Sequence, residues 1–361
     1  MKKFLFFAAV AVALAACQKN PGPEPGPDPE PLPSSPEQVW VLHNGTWGGS
    51  DSEIMIYDRE SGNVLTSAFQ TVNGKRLGDT ANDMIACGEL VAIAATGSKC
   101  VWIVYKNVTE VAQIVVTGAD GTALSPRRLA YDGSYVYITL QEGVLARASA
   151  ATGWQAETLE VGPAPEGLLY DNGLLYVVNS DEYSSPMGMN ASISIVDAAQ
   201  FKVVKTVPCN CNAQQLYRVS EDKFYLMSWG NYADIPAALT VFNPKTYTLT
   251  DVAGVAPTFF AVGTGNKAYY ASREYDAAWN PTITYCNFDT SADSRIGEFV
   301  PASAVKPDIN AIGLDPETSN VWMGCSDYMS NGSIIVFSPE GQEQMRIKDT
   351  GAVNPQAFLF L

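Results

Sequence analysis

The sequence predicts an all-β chain folded as a seven-bladed β-propeller, with the ring closed by pairing of the N- and C-terminal strands. Three observations predict it. From Val39 onward, short β-branched and aromatic runs follow one another with almost no helical period. A strand–turn–strand unit recurs along that stretch. The seventh copy of the unit is split between the two ends of the chain.

The clearest pair of units is 127–137 (RRLAYDGSYVY) against 166–176 (EGLLYDNGLLY). Each has a short apolar strand, a turn at Asp132-Gly133 or Asn172-Gly173, and a second strand that carries an aromatic. Asp-Gly and Asn-Gly accept positive φ at little steric cost, which predicts two-residue hairpin turns at both places. The same unit recurs at 82–93, 214–226, 258–270 and 310–323. A third strand follows, as at 193–197, 239–244, 283–289 and 334–339, and a more polar fourth strand such as 201–207 closes the unit. The seventh unit takes its first strand from 356–361 and its other three from 39–42, 54–57 and 64–66. Joining the ends in one sheet hides edges that would otherwise pair with other chains. The 323 residues from Val39 give about 46 per unit, a length that suits four-stranded blades. A pair of β-sandwiches is the rival architecture, and the regular repeat with split ends favours the ring.

Ahead of the propeller (39–361), Met1 to Cys17 carries Lys2 and Lys3, then an apolar run, then Leu14-Ala15-Ala16-Cys17. The run is shorter than the ~20 residues of a membrane-spanning helix and reads as an export signal. Its end resembles the lipobox of bacterial lipoproteins, which implies cleavage before Cys17 and lipidation of that thiol. Loss of both lysines takes the net charge from −16 to −18. Residues 18–38, rich in proline, glycine and acid, form an extended tether. Six cysteines remain: Cys87, Cys100, Cys209, Cys211, Cys286 and Cys325. Cys87 and Cys100 are candidates for a disulfide across neighbouring strands, and buried free thiols are the alternative. Cys209 and Cys211 are too close together for a usual zinc knuckle.

With 22 basic against 38 acidic residues, the charge balance argues against a nucleic-acid partner. Its one histidine, His43, stands without a serine in a nucleophile-elbow pattern, and no Gly-rich phosphate loop opens a helix. Propeller geometry instead gathers loops. Those between second and third strands emerge on one face, with Trp47, Tyr183, Trp229, Tyr232, Tyr275, Trp279 and Tyr328 on them. The first residue of each channel-lining strand is polar: Asn82, Arg127, Glu166, Gln214, Thr258, Asn310 and Gln356. Together with Asp83, this polar ring beneath an aromatic rim predicts a ligand site with no resident cofactor. An alternative is a calcium-dependent, lactonase-like hydrolase using oxygen ligands of Glu166, Asp83, Asn82 and Asn310. A protein- or glycan-binding scaffold is a third reading.

Four segments carry a family resemblance: His43-Asn44-Gly45-Thr46-Trp47-Gly48, the stretch 73–84 (NGKRLGDTANDM), Trp229-Gly230-Asn231-Tyr232, and 273–280 (REYDAAWN). They resemble the YncE-like, DUF5074-type propeller lipoproteins of Bacteroidetes, among them the surface cobalamin-capture (BtuG-like) lipoproteins. The resemblance covers essentially the whole propeller. It implies an outer-membrane, lipid-anchored surface protein that binds a corrinoid and delivers it to a TonB-dependent transporter, without catalysis.

Overall fold

The computed structural model describes residues 37–361 other than 277 and 279. The leader, Cys17, all but the last two residues of the tether, and Trp279 lie outside the described residues. Seven four-stranded antiparallel sheets form a ring, and the strand nearest the axis of each lies beside its neighbours'. In the first blade this inner strand is Pro355–Phe360, followed outward by Gln38–His43, Glu53–Asp58 and Val64–Leu65. The inner strands of blades two to seven are Ala81–Cys87, Pro126–Tyr131, Pro165–Asp171, Ala213–Ser220, Phe259–Val262 and Asp308–Leu314. The split seventh unit of the sequence is therefore the first blade of the ring.

Second and third strands read as continuous apolar runs because neighbouring blades cover both of their faces. Leu90–Ala95 (LVAIAA) and Cys100–Tyr105 (CVWIVY) are buried nearly throughout. An outer strand such as Lys202–Pro208 faces water along most of its length. The core consequently lies between blades. Ala94 and Ile103 of the second blade meet Leu129 and Ile138 of the third. Tyr225 of the fifth meets Phe260 and Phe288 of the sixth, with the Tyr225 and Phe288 rings edge-on at 5.5 Å. Each leucine, isoleucine or phenylalanine so removed from water contributes about 1.5–3 kcal/mol.

One local expectation is corrected and one open alternative is decided. Asn172-Gly173 is a two-residue turn with positive φ at both positions, and Asp171 stands opposite Leu174. Asp132-Gly133 opens a four-residue loop instead, since Tyr131 pairs with Val136. There the Asp132 carboxylate accepts the N–H groups of Ser134 and Tyr135, which stabilises the longer loop from within. The structure also decides between the disulfide and the free thiols. Cys87 stands opposite Leu90 at one end of the strand between them, and Cys100 stands opposite Ala95 at the other. Five residue steps of about 3.3 Å separate the two levels, far beyond disulfide reach. All six described cysteines are free thiols.

The seam of the ring is the strand Gln38–His43, which pairs with Glu53–Asp58 on one side and Pro355–Phe360 on the other. His43 at its end is fully buried, with Nε2 2.8 Å from the Thr350 hydroxyl. Burial lowers its pKa from the usual 6.5 to about 4. In an unfolded chain it titrates near 6.5, so between those values the unfolded state holds the extra proton. Stability from this group is complete above pH 6.5 and is lost as pH falls toward 4, by up to about 3 kcal/mol. Urea unfolding at pH 4.5 and 7.5 is expected to show this slope in the wild type and a shallower one in His43→Gln. Equal slopes would remove His43 as its source.

Candidate functional site

A repeated irregularity builds the mouth of the channel. In six of the seven inner strands the ladder to the second strand skips a step near the start. The skipped positions are Asn82, Arg127 with Arg128, Glu166 with Gly167, Gln214, Asn310 and Gln356. In the sixth blade Thr258 precedes the strand, and its hydroxyl accepts the Arg273 N–H at 3.1 Å. A bulged residue leaves the ladder, so its backbone and side chain seek other partners. Asn82 Nδ2 donates to the Thr96 hydroxyl at 2.6 Å, Gln214 Nε2 to Asn212 Oδ1 at 2.6 Å, and Asn310 Nδ2 to the Pro355 carbonyl at 3.0 Å. Polarity at this ring is thus first a requirement of the bulge, which the strand reading did not foresee.

Above and inside the ring lies a cavity of about 720 Å³, open at the top. It takes in nine of the predicted residues: Asp83, Gln214, Trp229, Tyr232, Thr258, Tyr275, Asn310, Tyr328 and Gln356. Tyr232, Tyr275 and Tyr328 stand on three successive blades and are each about half exposed. Trp229 is partly buried beneath them, and its Nε1–H donates to the Thr258 carbonyl at 3.3 Å. Burial pushes the Tyr232 hydroxyl up to about 12, reinforced by the Glu182 charge. Asp83 accepts the Leu129 N–H at 2.8 Å and lies 3.8 Å from Arg128. Its pKa is raised by burial against the pull of that arginine.

Five predicted residues stand apart from the cavity. Glu166 is buried and accepts from Arg127 Nε at 2.6 Å. Burial disfavours the charged Arg127, yet Glu166 outweighs it and holds the guanidinium above its usual pKa. Tyr183 is only partly buried beside this pair, and that partial burial pushes its hydroxyl up to about 12, with Arg127 opposing and Glu182 adding to the rise. Asn82 is turned inward to Thr96, and Trp47 is 78% exposed on its loop. Of the oxygen ligands considered for calcium, Asp83 and Asn310 line the cavity while Glu166 and Asn82 do not. Among the described residues no three acidic, cysteine or histidine side chains gather as a metal site.

Sequence reasoning missed Arg128, Arg273, Tyr217 and Phe259, all of which line the cavity. Arg128 escaped because only the bulge carries it to the channel, where strict alternation would not. Arg273 falls in the segment 273–280 taken as a loop, but the second strand of its blade runs Lys267–Tyr275 and the third begins at Pro281 opposite Tyr275. Asp276 ties that turn by accepting the N–H groups of Ala278 and Asn280.

Neither a protein-family model nor a curated protein matches the sequence. Solved structures do match. A quinoprotein alcohol dehydrogenase-like protein of Bacteroides thetaiotaomicron is 15% identical with a TM-score of 0.63, over 91% of this chain and 78% of that one. A chain of the mitotic checkpoint complex is 11% identical with a TM-score of 0.57, over 95% and 91%. These likenesses establish the fold alone. The chain is a seven-bladed β-propeller, a scaffold compatible with ligand or protein binding.

Glu166→Ala leaves a largely buried Arg127 without its carboxylate, and about 3 kcal/mol of stability is expected to be lost. Denaturant unfolding measures this, and a loss under ~0.5 kcal/mol would show that the pair is not structural.

Proposed function

We propose that this protein is a non-catalytic surface lipoprotein that captures a corrinoid at the mouth of the propeller and passes it to a TonB-dependent outer-membrane transporter. The observation that carries the reading is the open cavity, with tyrosines from three successive blades over the polar groups of Gln214, Thr258, Asn310 and Gln356. Its volume falls in the range of small-molecule sites, and such sites combine apolar walls with a few placed polar groups. A corrin is a broad disc fringed with amides. Half-exposed tyrosines offer it rigid contact area at low entropic cost, and amide side chains complement its edge. Capture without chemistry is supported by the state of the acid–base groups. His43 is buried against Thr350 away from the cavity, and Asp83 and Glu166 each face an arginine. The lipobox-like leader and the family resemblance of the loops support the lipid anchor, the corrinoid and the transporter.

Calorimetric titration with cyanocobalamin tests the ligand. Tyr275→Ala is expected to weaken binding tenfold or more, about 1.4 kcal/mol, with an unchanged Tm. Trp229→Ala should weaken it further, with some loss of stability because the indole also packs. Equal affinity in the wild type and in a triple Tyr232, Tyr275 and Tyr328 alanine variant overturns the reading. Copurification of a TonB-dependent receptor with the membrane-anchored protein checks the partner.

A further inference from the structure

Two arginines face the cavity from across the channel. Arg128 belongs to the third blade and Arg273 to the sixth, three blades apart, which is as far as a sevenfold ring allows. Apart from Asp83 they are the charged residues of the lining, while Asp308 pairs with Arg273 from behind. Both guanidinium groups sit in a chain whose net charge is −16.

Arginine carries five N–H donors in a fixed planar fork. Arg128 commits Nη1, which donates to the Asn82 carbonyl at 2.8 Å and lies 3.8 Å from Asp83. Its Nε and Nη2 have no acceptor among the described residues, and its side chain is 31% exposed. Those two nitrogens form the side-on edge of the fork, whose parallel donors match two oxygens of one carboxylate or phosphate. Arg273 is held from behind by Asp308, at 3.1 Å, and by the Ile309 carbonyl at 3.0 Å, both on Nη2. Its guanidinium carbon lies 5.7 Å from the centre of the Phe259 ring, and its Nε is buried without a partner. One arginine therefore offers an open two-donor edge, and the other stands fixed across the cavity from it.

We infer that the cavity reads an oxyanion group of its ligand, a carboxylate or a phosphate. The open edge of Arg128 grips that group, and the guanidinium of Arg273 attracts it from across the cavity. The inference rests on the capture reading and narrows it to ligands that carry such a group, with Arg128 as the residue that selects them. The acidic body repels anions elsewhere, so nonspecific association is suppressed and an arginine-dependent signal stands out.

Calorimetric titration of citrate and of pyrophosphate into the full chain in detergent tests it, using wild type, Arg128→Gln, Arg128→Lys and Arg273→Gln. At least one probe is expected to bind the wild type, and the preferred one distinguishes carboxylate from phosphate. Its affinity should fall tenfold or more in Arg128→Gln and by a smaller factor in Arg273→Gln. Arg128→Lys should fall between wild type and Arg128→Gln, because lysine keeps the charge but lacks the two-donor edge. Thermal unfolding checks that each variant is folded. Absence of binding by both probes, or binding that Arg128→Gln leaves unchanged, overturns the inference. Cyanocobalamin, which carries a phosphodiester, and cobinamide, which lacks the nucleotide, are titrated alongside. If both corrinoids bind alike and the anions do not, capture stands and the oxyanion inference fails. If the anions bind through Arg128 and no corrinoid does, the inference stands and the corrinoid assignment fails.

Discussion

The strand Gln38–His43 has Pro355–Phe360 as one neighbour and Glu53–Asp58 as the other, and the remaining architecture depends on that double pairing. It joins segments more than 300 residues apart, so its loop-closure entropy must be offset by contacts made nowhere else. Backbone bonds from Asn44 and Gly45 to Asn354 and Val353 continue the seam beyond the ladder, and Asn354 Nδ2 returns a bond to the Gly45 carbonyl. Without the C-terminal strand the first blade has no inner strand, and the cavity loses Gln356, Ala357 and Phe358 from its wall.

Closure also explains why the mouth is polar. Seven sheets converge on a narrow axis, and near the top of six of them the inner strand bulges. The freed groups then bond sideways: Thr96 Oγ1 donates to the Pro126 carbonyl of the next blade, and Asn310 reaches Pro355. Some ring residues are consumed by this bracing, as Asn82 and Glu166 are. Others, such as Thr258 and Gln356, remain along the cavity. One constraint on the backbone thus divides a chemically uniform ring into braces and lining.

Much of the fold was legible in the residues. Apolar runs bounded by Asp, Asn and Gly mark the hairpins, and the aromatic second strand identifies the repeat. The split first blade could be read because 356–361 is a strand with no partner of its own near the C-terminus. Part of the rim was legible too, since loops between second and third strands share a face in a propeller: Trp229, Tyr232, Tyr275 and Tyr328 line the cavity, while Trp47 and Tyr183 stand apart from it. The Asp132 turn was misread because it depends on register, which a one-residue change in loop length shifts, and the choice between disulfide and free thiols stayed open because the position of the two cysteines along their strands is not legible in the spacing.

What the sequence alone determined is the count of blades, the joining of the ends and the set of aromatic loops, all of which follow from periodicity and turn chemistry along the chain. Only the tertiary structure decided which polar groups are free. Arg127 and Arg128 are adjacent and identical in kind, yet one is paired to Glu166 and the other opens onto the cavity. The physical reason is the bulge, a backbone departure whose direction is set by the neighbouring blade and by no pattern within the strand itself.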